Sequence, residues 1–200
     1  MSAHHGHDHS HAVVTESNAK KLTFALILTS TFLVIEVIAG FITQSLALLS
    51  DAAHMFTDAA ALAIALVAIK VGKLPADSKR TFGYQRFEIL AALFNALMLF
   101  VVAIYILYEA YQRFSQPPDI QSGGMMIVAT IGLVINLISM KILFSSSQDS
   151  LNIKGAYLEV LSDALGSVGV IIGAAIIYFT GWMWVDTLIA VLIGFWVLPR

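Results

Sequence analysis

Two apolar segments of the sequence each carry a pair of ionisable side chains one helical turn apart. The segment SLALLSDAAHMFTDAAALAIALVAI contains His54 and Asp58, and the segment AYLEVLSDALGSVGVIIGAA contains Glu159 and Asp163. Residues four apart lie on the same face of an α-helix. If the two helices pack face to face, the pairs surround one point with four nitrogen and oxygen ligands, which suits a tetrahedral divalent ion such as zinc. Cysteine is absent, so thiolate ligands are excluded.

The same four side chains could instead hydrogen-bond the helices together. One ionisable side chain near the bilayer centre costs about 2.5 to 3.5 kcal/mol on insertion scales. One interhelical hydrogen bond in a membrane gains only about 0.6 kcal/mol on average. Gains of this size do not readily offset the cost of placing four ionisable groups in the membrane. We therefore predict that His54, Asp58, Glu159 and Asp163 are metal ligands, with hydrogen bonding as the alternative.

Other polar side chains in apolar segments have weaker claims to a function. Asp51 shares the helix face of His54 and Asp58, and it is either a carboxylate in the vestibule of the site or a residue at the helix start. Arg86 and Glu88 predict an interfacial salt bridge. A further set is expected to form interhelical hydrogen bonds, with a proton or ion path as the alternative: Glu36, Asn95, Glu109, Asn136 and Asp186.

The elements that must position these residues are predicted to be membrane-spanning helices. Hydrophobic residues make up 58% of the chain and charged residues 12%, whereas soluble domains carry about 25% charged residues. A spanning helix needs about 20 mainly apolar residues. Six stretches qualify, at 22–41, 46–71, 87–111, 125–144, 156–179 and 182–198. The sequence therefore predicts an all-α membrane protein, a bundle of six transmembrane helices with the metal site between the second and the fifth.

The basic residues predict how this bundle is oriented. Every Lys and Arg except Arg113 falls on one side of the predicted helices, and short cytoplasmic loops are enriched in these residues. Both termini are therefore expected to be cytoplasmic. Residues 1–21 form a polar tail whose histidines, all between residues 4 and 11, are expected to collect metal loosely at the inner mouth. A purification-tag remnant, the alternative, is usually an uninterrupted run of histidines.

Three stretches resemble membrane helices of one transporter family. SLALLSDAAHMFTDAAAL, RTFGYQRFEILAALFNALMLF and GAYLEVLSDALGSVGVIIGA resemble the second, third and fifth helices of the cation diffusion facilitator family, and most closely its bacterial cobalt-zinc-cadmium resistance branch. The resemblance extends over residues 22–200. It implies a proton-coupled antiporter that exports divalent metals (zinc, also cobalt and cadmium) from the cytoplasm by alternating access. The same four residues, His54, Asp58, Glu159 and Asp163, would form its transport site.

The resemblance also implies the setting and the partners of the protein. Family members are typically homodimers of six-helix protomers, so membrane lipid, protons, divalent metal ions and a second copy are the expected partners. The bacterial inner membrane is the expected location of this chain. Neither enzymatic activity, a resident cofactor nor a nucleic-acid partner is expected.

The chain departs from the family pattern in two places. Many zinc-transporting relatives have His where this chain has Glu159, which leaves the metal selectivity open. Family members usually continue into a cytoplasmic ferredoxin-like domain, whereas this sequence ends at Arg200. We therefore expect a transmembrane domain, residues 22–200, without that C-terminal domain.

Two other classes of function compete with this interpretation. An intramembrane metalloenzyme is disfavoured, because the sequence has no H-E-x-x-H pattern and only one histidine within an apolar segment. An uncoupled divalent cation channel is the other alternative, because acidic rings also select cations. The spacing of the four residues does not by itself establish coupling to protons.

Overall fold

The computed structural model describes residues 16–72, 86–145, 147 and 151–197. Within these ranges the chain forms six α-helices: α1 (Glu16–Thr43), α2 (Leu46–Gly72), α3 (Arg86–Ser115), α4 (Ser122–Phe144), α5 (Leu151–Thr180) and α6 (Trp184–Val197). The predicted all-α bundle is confirmed. The histidines at 4–11 lie outside the described residues, as do the side chains of Arg86, Glu88 and Asn95 and the basic loop at 73–85.

Local signals in the sequence explain where α2 begins and α5 ends. Ser45 precedes α2, and its Oγ accepts a hydrogen bond from the backbone N–H of Leu48 at 3.1 Å, which is the N-cap arrangement that serine favours. Gly181 follows α5 with a φ of 71°, and its N–H donates to the carbonyl of Ile177 at 2.8 Å. Glycine adopts this left-handed conformation without steric cost and so ends the helix.

Hydroxyl groups within the helices are satisfied by the helices themselves. Thr31 donates to the carbonyl of Ile27 at 2.7 Å, and Thr130 donates to that of Met126 at 2.7 Å. No water reaches such groups in the hydrocarbon core, so a polar group there needs a partner in the protein. These threonines therefore fit a lipid-facing helix.

Among the packed helix pairs of the bundle, α4 and α5 make the most extensive contact. Helix α1 packs on α4, and α2 packs against α1, α3 and α6. Phe32 of α1 is fully buried and lies against Gly132 of α4, where an added side chain would overlap the ring. A glycine at this position therefore permits the close approach of α1 and α4.

The outer surface of the bundle is apolar. Four helices are long and apolar enough to cross a membrane, as far as the described residues go: Lys20–Thr43, Ala96–Ser115, Ser122–Phe144 and Ile153–Thr180, with a shorter apolar helix at Trp184–Trp196. Helix α3 exposes large side chains along its length, among them Leu93, Leu97, Phe100 and Ile104. Exposed surface of this kind suits lipid tails, and the chain is a multi-pass membrane protein.

Candidate metal site

Helix α2 places three ionisable side chains on its interior face. Asp51 and His54 are buried, with exposed fractions of 2% and 6%, and Asp58 follows one turn later with its side chain 31% exposed. The spacings of three and four residues produce this face, as predicted. Asp51 lies in the second turn of α2, so its interpretation as a helix-start residue is wrong.

Helix α5 brings its own pair to the same region. Asp163 is buried, whereas Glu159, one turn earlier, is exposed. The approach to α2 depends on Gly166, because a Cβ added there would lie 2.9 Å from Oδ1 of Asp51. The small residue at Gly166 therefore lets α5 approach α2, whereas a Cβ added at Gly169 would meet open space.

His54 connects the two helices through both of its ring nitrogens. Nδ1 lies 3.3 Å from Oδ2 of Asp58, and Nε2 lies 3.5 Å from Oδ1 of Asp163. Both distances are long for hydrogen bonds, which are about 2.9 Å for this kind of donor and acceptor. Glu159 completes the group, because its carboxyl lies beside that of Asp58. The structure therefore joins all four predicted ligands in one continuous polar group between α2 and α5.

The group has the geometry of a polar network rather than of a metal cage. Among the residues that the structure describes, no three His, Asp or Glu side chains converge as the ligands of one ion. A zinc ion requires its nitrogen and oxygen ligands about 2.0 to 2.2 Å from a common centre. Here the imidazole of His54 itself lies between the carboxylates of Asp58 and Asp163, where such an ion would have to bind. Metal binding therefore requires these side chains to move, and ligation by these four residues stays a prediction.

A second pair of carboxyl groups adjoins this group. Glu36 of α1 is 1% exposed, and its carboxyl lies beside that of Asp51. The interhelical hydrogen bond predicted for Glu36 stays a prediction, and its Oε2 has no hydrogen-bond partner among the described residues. Two carboxylates so close to each other repel, which disfavours the ionisation of both at once.

The remaining polar residues differ in their surroundings. Asn136 is 1% exposed, and its Oδ1 has no hydrogen-bond partner within the described ranges. Glu109 accepts from Nε of Arg113 in its own helix at 3.0 Å instead of bonding between helices. Asp186 of α6 is fully buried and accepts from the hydroxyl of Ser45 at 2.6 Å. The interhelical hydrogen bond predicted for Asp186 is therefore confirmed.

One hydrogen bond next to the site could not be predicted from the sequence. The indole N–H of Trp196 in α6 donates to Oγ of Ser162 at 2.8 Å, and Ser162 directly precedes Asp163. Tryptophan near a helix end normally indicates the membrane interface, so its bond to α5 could not be inferred from its residue type. This bond fixes α6 against the turn of α5 that carries Asp163.

Known proteins resemble the chain over nearly its whole length. The model of the cation efflux transmembrane domain matches residues 22–199. The metal cation efflux system protein CzcD of Cupriavidus metallidurans is 66% identical over the whole chain, which covers 62% of that protein. The cadmium, cobalt and zinc/H(+)-K(+) antiporter of Bacillus subtilis is 45% identical over 96% of the chain, covering 61% of that protein. The zinc transporter ZitB of Escherichia coli is 43% identical over 99% of the chain, covering 63% of that protein.

The chain spans about three fifths of the length of these relatives. The match begins at residue 22, within α1, and extends through α6. It also includes both ionisable pairs, on α2 and on α5. With spanning helices and bacterial relatives, the protein is a multi-pass protein of the bacterial inner membrane. The chain belongs to the cation efflux family and contains its transmembrane domain.

Proposed function

We propose that the chain is the transport domain of a proton-coupled antiporter that exports divalent metal cations from the cytoplasm by alternating access. The observation that carries this proposal is the position of His54 between Asp58 of its own helix and Asp163 of α5. Ionisable groups are expensive inside a membrane, and a group of them that joins two helices is a default candidate for an ion path. The metal is the transported substrate, and its ligands are His54, Asp58, Glu159 and Asp163.

The names of the relatives support the class of substrate. They include a metal cation efflux protein, a zinc transporter, and an antiporter named for cadmium, cobalt and zinc. The ligand chemistry agrees with this range, because imidazole suits zinc and cobalt, and carboxylates accept many divalent ions. We infer that zinc, cobalt and cadmium are substrates, and that the family membership disfavours an intramembrane enzyme.

The exposure of the four side chains supports alternating access. Glu159 is exposed and Asp58 is partly exposed, whereas Asp163 and His54 are buried, as are Asp51 and Glu36 beyond them. With both termini in the cytoplasm, as the basic residues predict, the exposed pair lies toward the cytoplasm and the buried groups lie toward the outside. This arrangement corresponds to a state that receives metal from the cytoplasm and is closed to the exterior. The homodimer remains a prediction.

The proximity of the Glu159 and Asp58 carboxyl groups supports coupling to protons. Two neighbouring carboxylates repel each other, which favours the binding of a proton to one of them while no metal is bound. Metal ligands must lose their protons to bind, so metal binding releases protons and proton binding releases metal. Protonation from the outer side therefore provides a physical reason for metal to leave there.

Zinc uptake into inverted vesicles with an acidic lumen tests this coupling. We expect uptake against a zinc gradient, and each tenfold proton difference is worth about 1.4 kcal/mol, or about tenfold accumulation, per proton exchanged. A protonophore should abolish the accumulation. Because one relative is named for exchange against both protons and potassium, a second set of vesicles carries a potassium gradient with no pH gradient.

Each outcome of this experiment distinguishes one mechanism. Accumulation that persists after the pH gradient is removed, in vesicles free of potassium, excludes proton coupling. Uptake that only equalises the zinc concentrations under every gradient indicates an uncoupled channel. Vesicles with the Asp58→Ala protein provide the background rate.

A further inference from the structure

The turn between α1 and α2 contains a strained residue. Gln44 has a φ of 59°, a left-handed conformation that residues other than glycine rarely adopt. The N–H of Ser45 donates to the carbonyl of Gly40 at 3.1 Å, which is the backbone bond of a helix ending that usually has glycine at the strained position. Such a strained backbone conformation persists only where contacts with the surrounding structure hold it in place.

Asp186 of α6 provides those contacts from a distant part of the chain. Its carboxylate accepts from the Ser45 hydroxyl at 2.6 Å, from the N–H of Leu46 at 2.6 Å and from the N–H of Ala47 at 3.2 Å. These N–H groups belong to the first turn of α2 and have no partner within the helix. A carboxylate at this position also stabilises the positive end of the helix dipole.

Arg113 of α3 holds the same turn from the other side. Its Nη1 donates to the carbonyl of Gln44 at 2.6 Å and lies 3.7 Å from Oδ2 of Asp186. The side chain of Asp186 is fully buried and that of Arg113 is 11% exposed. Buried charges of opposite sign that also bond to backbone groups form an arrangement with a defined geometry. Helices α3 and α6 therefore both fix the turn at which α2 starts.

We propose that Asp186 is a positioning residue for transport, which holds the strained α1–α2 turn and thereby sets the position of α2 against α5. The inference rests on the proposed transport function, because its consequence is the placing of His54 and Asp58 opposite Asp163. The part of the proposal that does not depend on transport is that Asp186 sets the position of α2. Asp186 is not proposed as a metal ligand or as a proton carrier.

Three substitutions and one control separate the positioning role from a direct one. Asp186→Ala removes every acceptor from the turn, and Asp186→Asn keeps one acceptor oxygen but loses the charge. Gln44→Gly relieves the strained backbone, so it should partly compensate for the loss of Asp186. Asp119→Ala is the matched control, because this carboxylate lies exposed in the α3–α4 connection at the same end of the bundle.

The position of α2 can be measured without transport. The chain has no cysteine, so Phe56→Cys on α2 and Leu165→Cys on α5, both exposed, accept one pair of spin labels in each protomer. An excess of unlabelled protein keeps distances between protomers out of the signal. We expect a narrow distance distribution with Asp186 present and with Asp119→Ala. We expect a broad or shifted distribution with Asp186→Ala, a smaller change with Asp186→Asn, and partial recovery when Gln44→Gly is added.

Metal uptake by the unlabelled variants provides the second measurement. Asp186→Ala should lower the maximal rate by about tenfold or more, as loss of a buried charged acceptor implies, and Gln44→Gly should recover part of that loss. A loss of uptake with an unchanged distance distribution and no recovery would show that Asp186 acts on the ion directly. Unchanged uptake in Asp186→Ala also contradicts the proposal. If the parent protein transports no metal, the proposed function fails, and the distances still decide whether Asp186 positions α2.

Discussion

Replacing Asp163 by Ala is expected to reduce metal uptake to the background of vesicles without the protein. The substitution removes one of four proposed ligands and also the carboxylate that lies 3.5 Å from Nε2 of His54. Loss of a group that only supports a metal ligand costs about 10 to 100-fold, so loss of a ligand should exceed about a hundredfold. The measurement is the initial rate of zinc uptake into inverted vesicles, normalised to inserted protein.

The control for this experiment is a carboxylate outside the site. Asp119→Ala removes an exposed acidic side chain and should leave the rate within about twofold of the parent, because surface charges contribute little. Asp163→Asn keeps the shape of the side chain and should transport as poorly as Asp163→Ala, because an amide is a weaker metal ligand than a carboxylate. Near-normal uptake by either Asp163 variant would remove this residue from the transport site.

Replacing Glu159 by His is expected to keep zinc transport and to narrow the range of metals. The native set of one imidazole and three carboxylates carries more negative charge than a divalent ion neutralises, and such an excess is costly beside the buried side chains of His54 and Asp163. When a second imidazole replaces the Glu159 carboxylate, two carboxylates remain, and a divalent ion neutralises their charge. Imidazole also suits zinc, whereas an additional carboxylate relaxes the demand on ligand type and geometry. We expect the ratios of cobalt and cadmium uptake to zinc uptake to fall by about tenfold. A change of this size corresponds to a modest difference between the metals in binding free energy at the substituted ligand.

The comparison needs a variant that changes charge without adding a nitrogen ligand. Glu159→Gln removes the carboxylate charge and should lower the uptake of all three metals together. Uptake of zinc, cobalt and cadmium is measured at matched expression for the parent and both variants. Equal metal ratios in the parent and in Glu159→His, or a parent already restricted to zinc, would place the determinant of selectivity elsewhere.

Features of the site that depend on one helix could be predicted from the sequence. His54 and Asp58 share a face because they are four residues apart, and Glu159 and Asp163 do so for the same reason. The length of the apolar segments likewise predicts the helices, since a span is defined by local composition. The helix ends differ from the predicted ones because polar residues continue α1 and α5 beyond the apolar core, as Glu16 in α1 and Lys154 in α5 show.

Features that depend on how helices meet could not be predicted in this way. Asp186 lies 141 residues from Ser45 in the chain, and nothing local to either residue indicates that they bond. The positive φ of Gln44 has no signal in its residue type, because glycine is usual at such a position. Glu159 and Asp163 share a face, yet only the packing around α5 decides that Asp163 is buried and Glu159 exposed.

X-ray absorption at the zinc edge tests the proposed ligand set most directly. Deleting residues 4–11 leaves His54 as the only histidine in the chain, so any imidazole bound to zinc in that protein must come from His54. We predict a four-coordinate ion with one imidazole nitrogen and oxygen ligands at about 2.0 to 2.2 Å, and loss of the imidazole signal in His54→Ala. The protein is purified without a histidine tag. A zinc ion with only oxygen ligands, or one whose spectrum is unchanged by His54→Ala, would contradict the transport site proposed here.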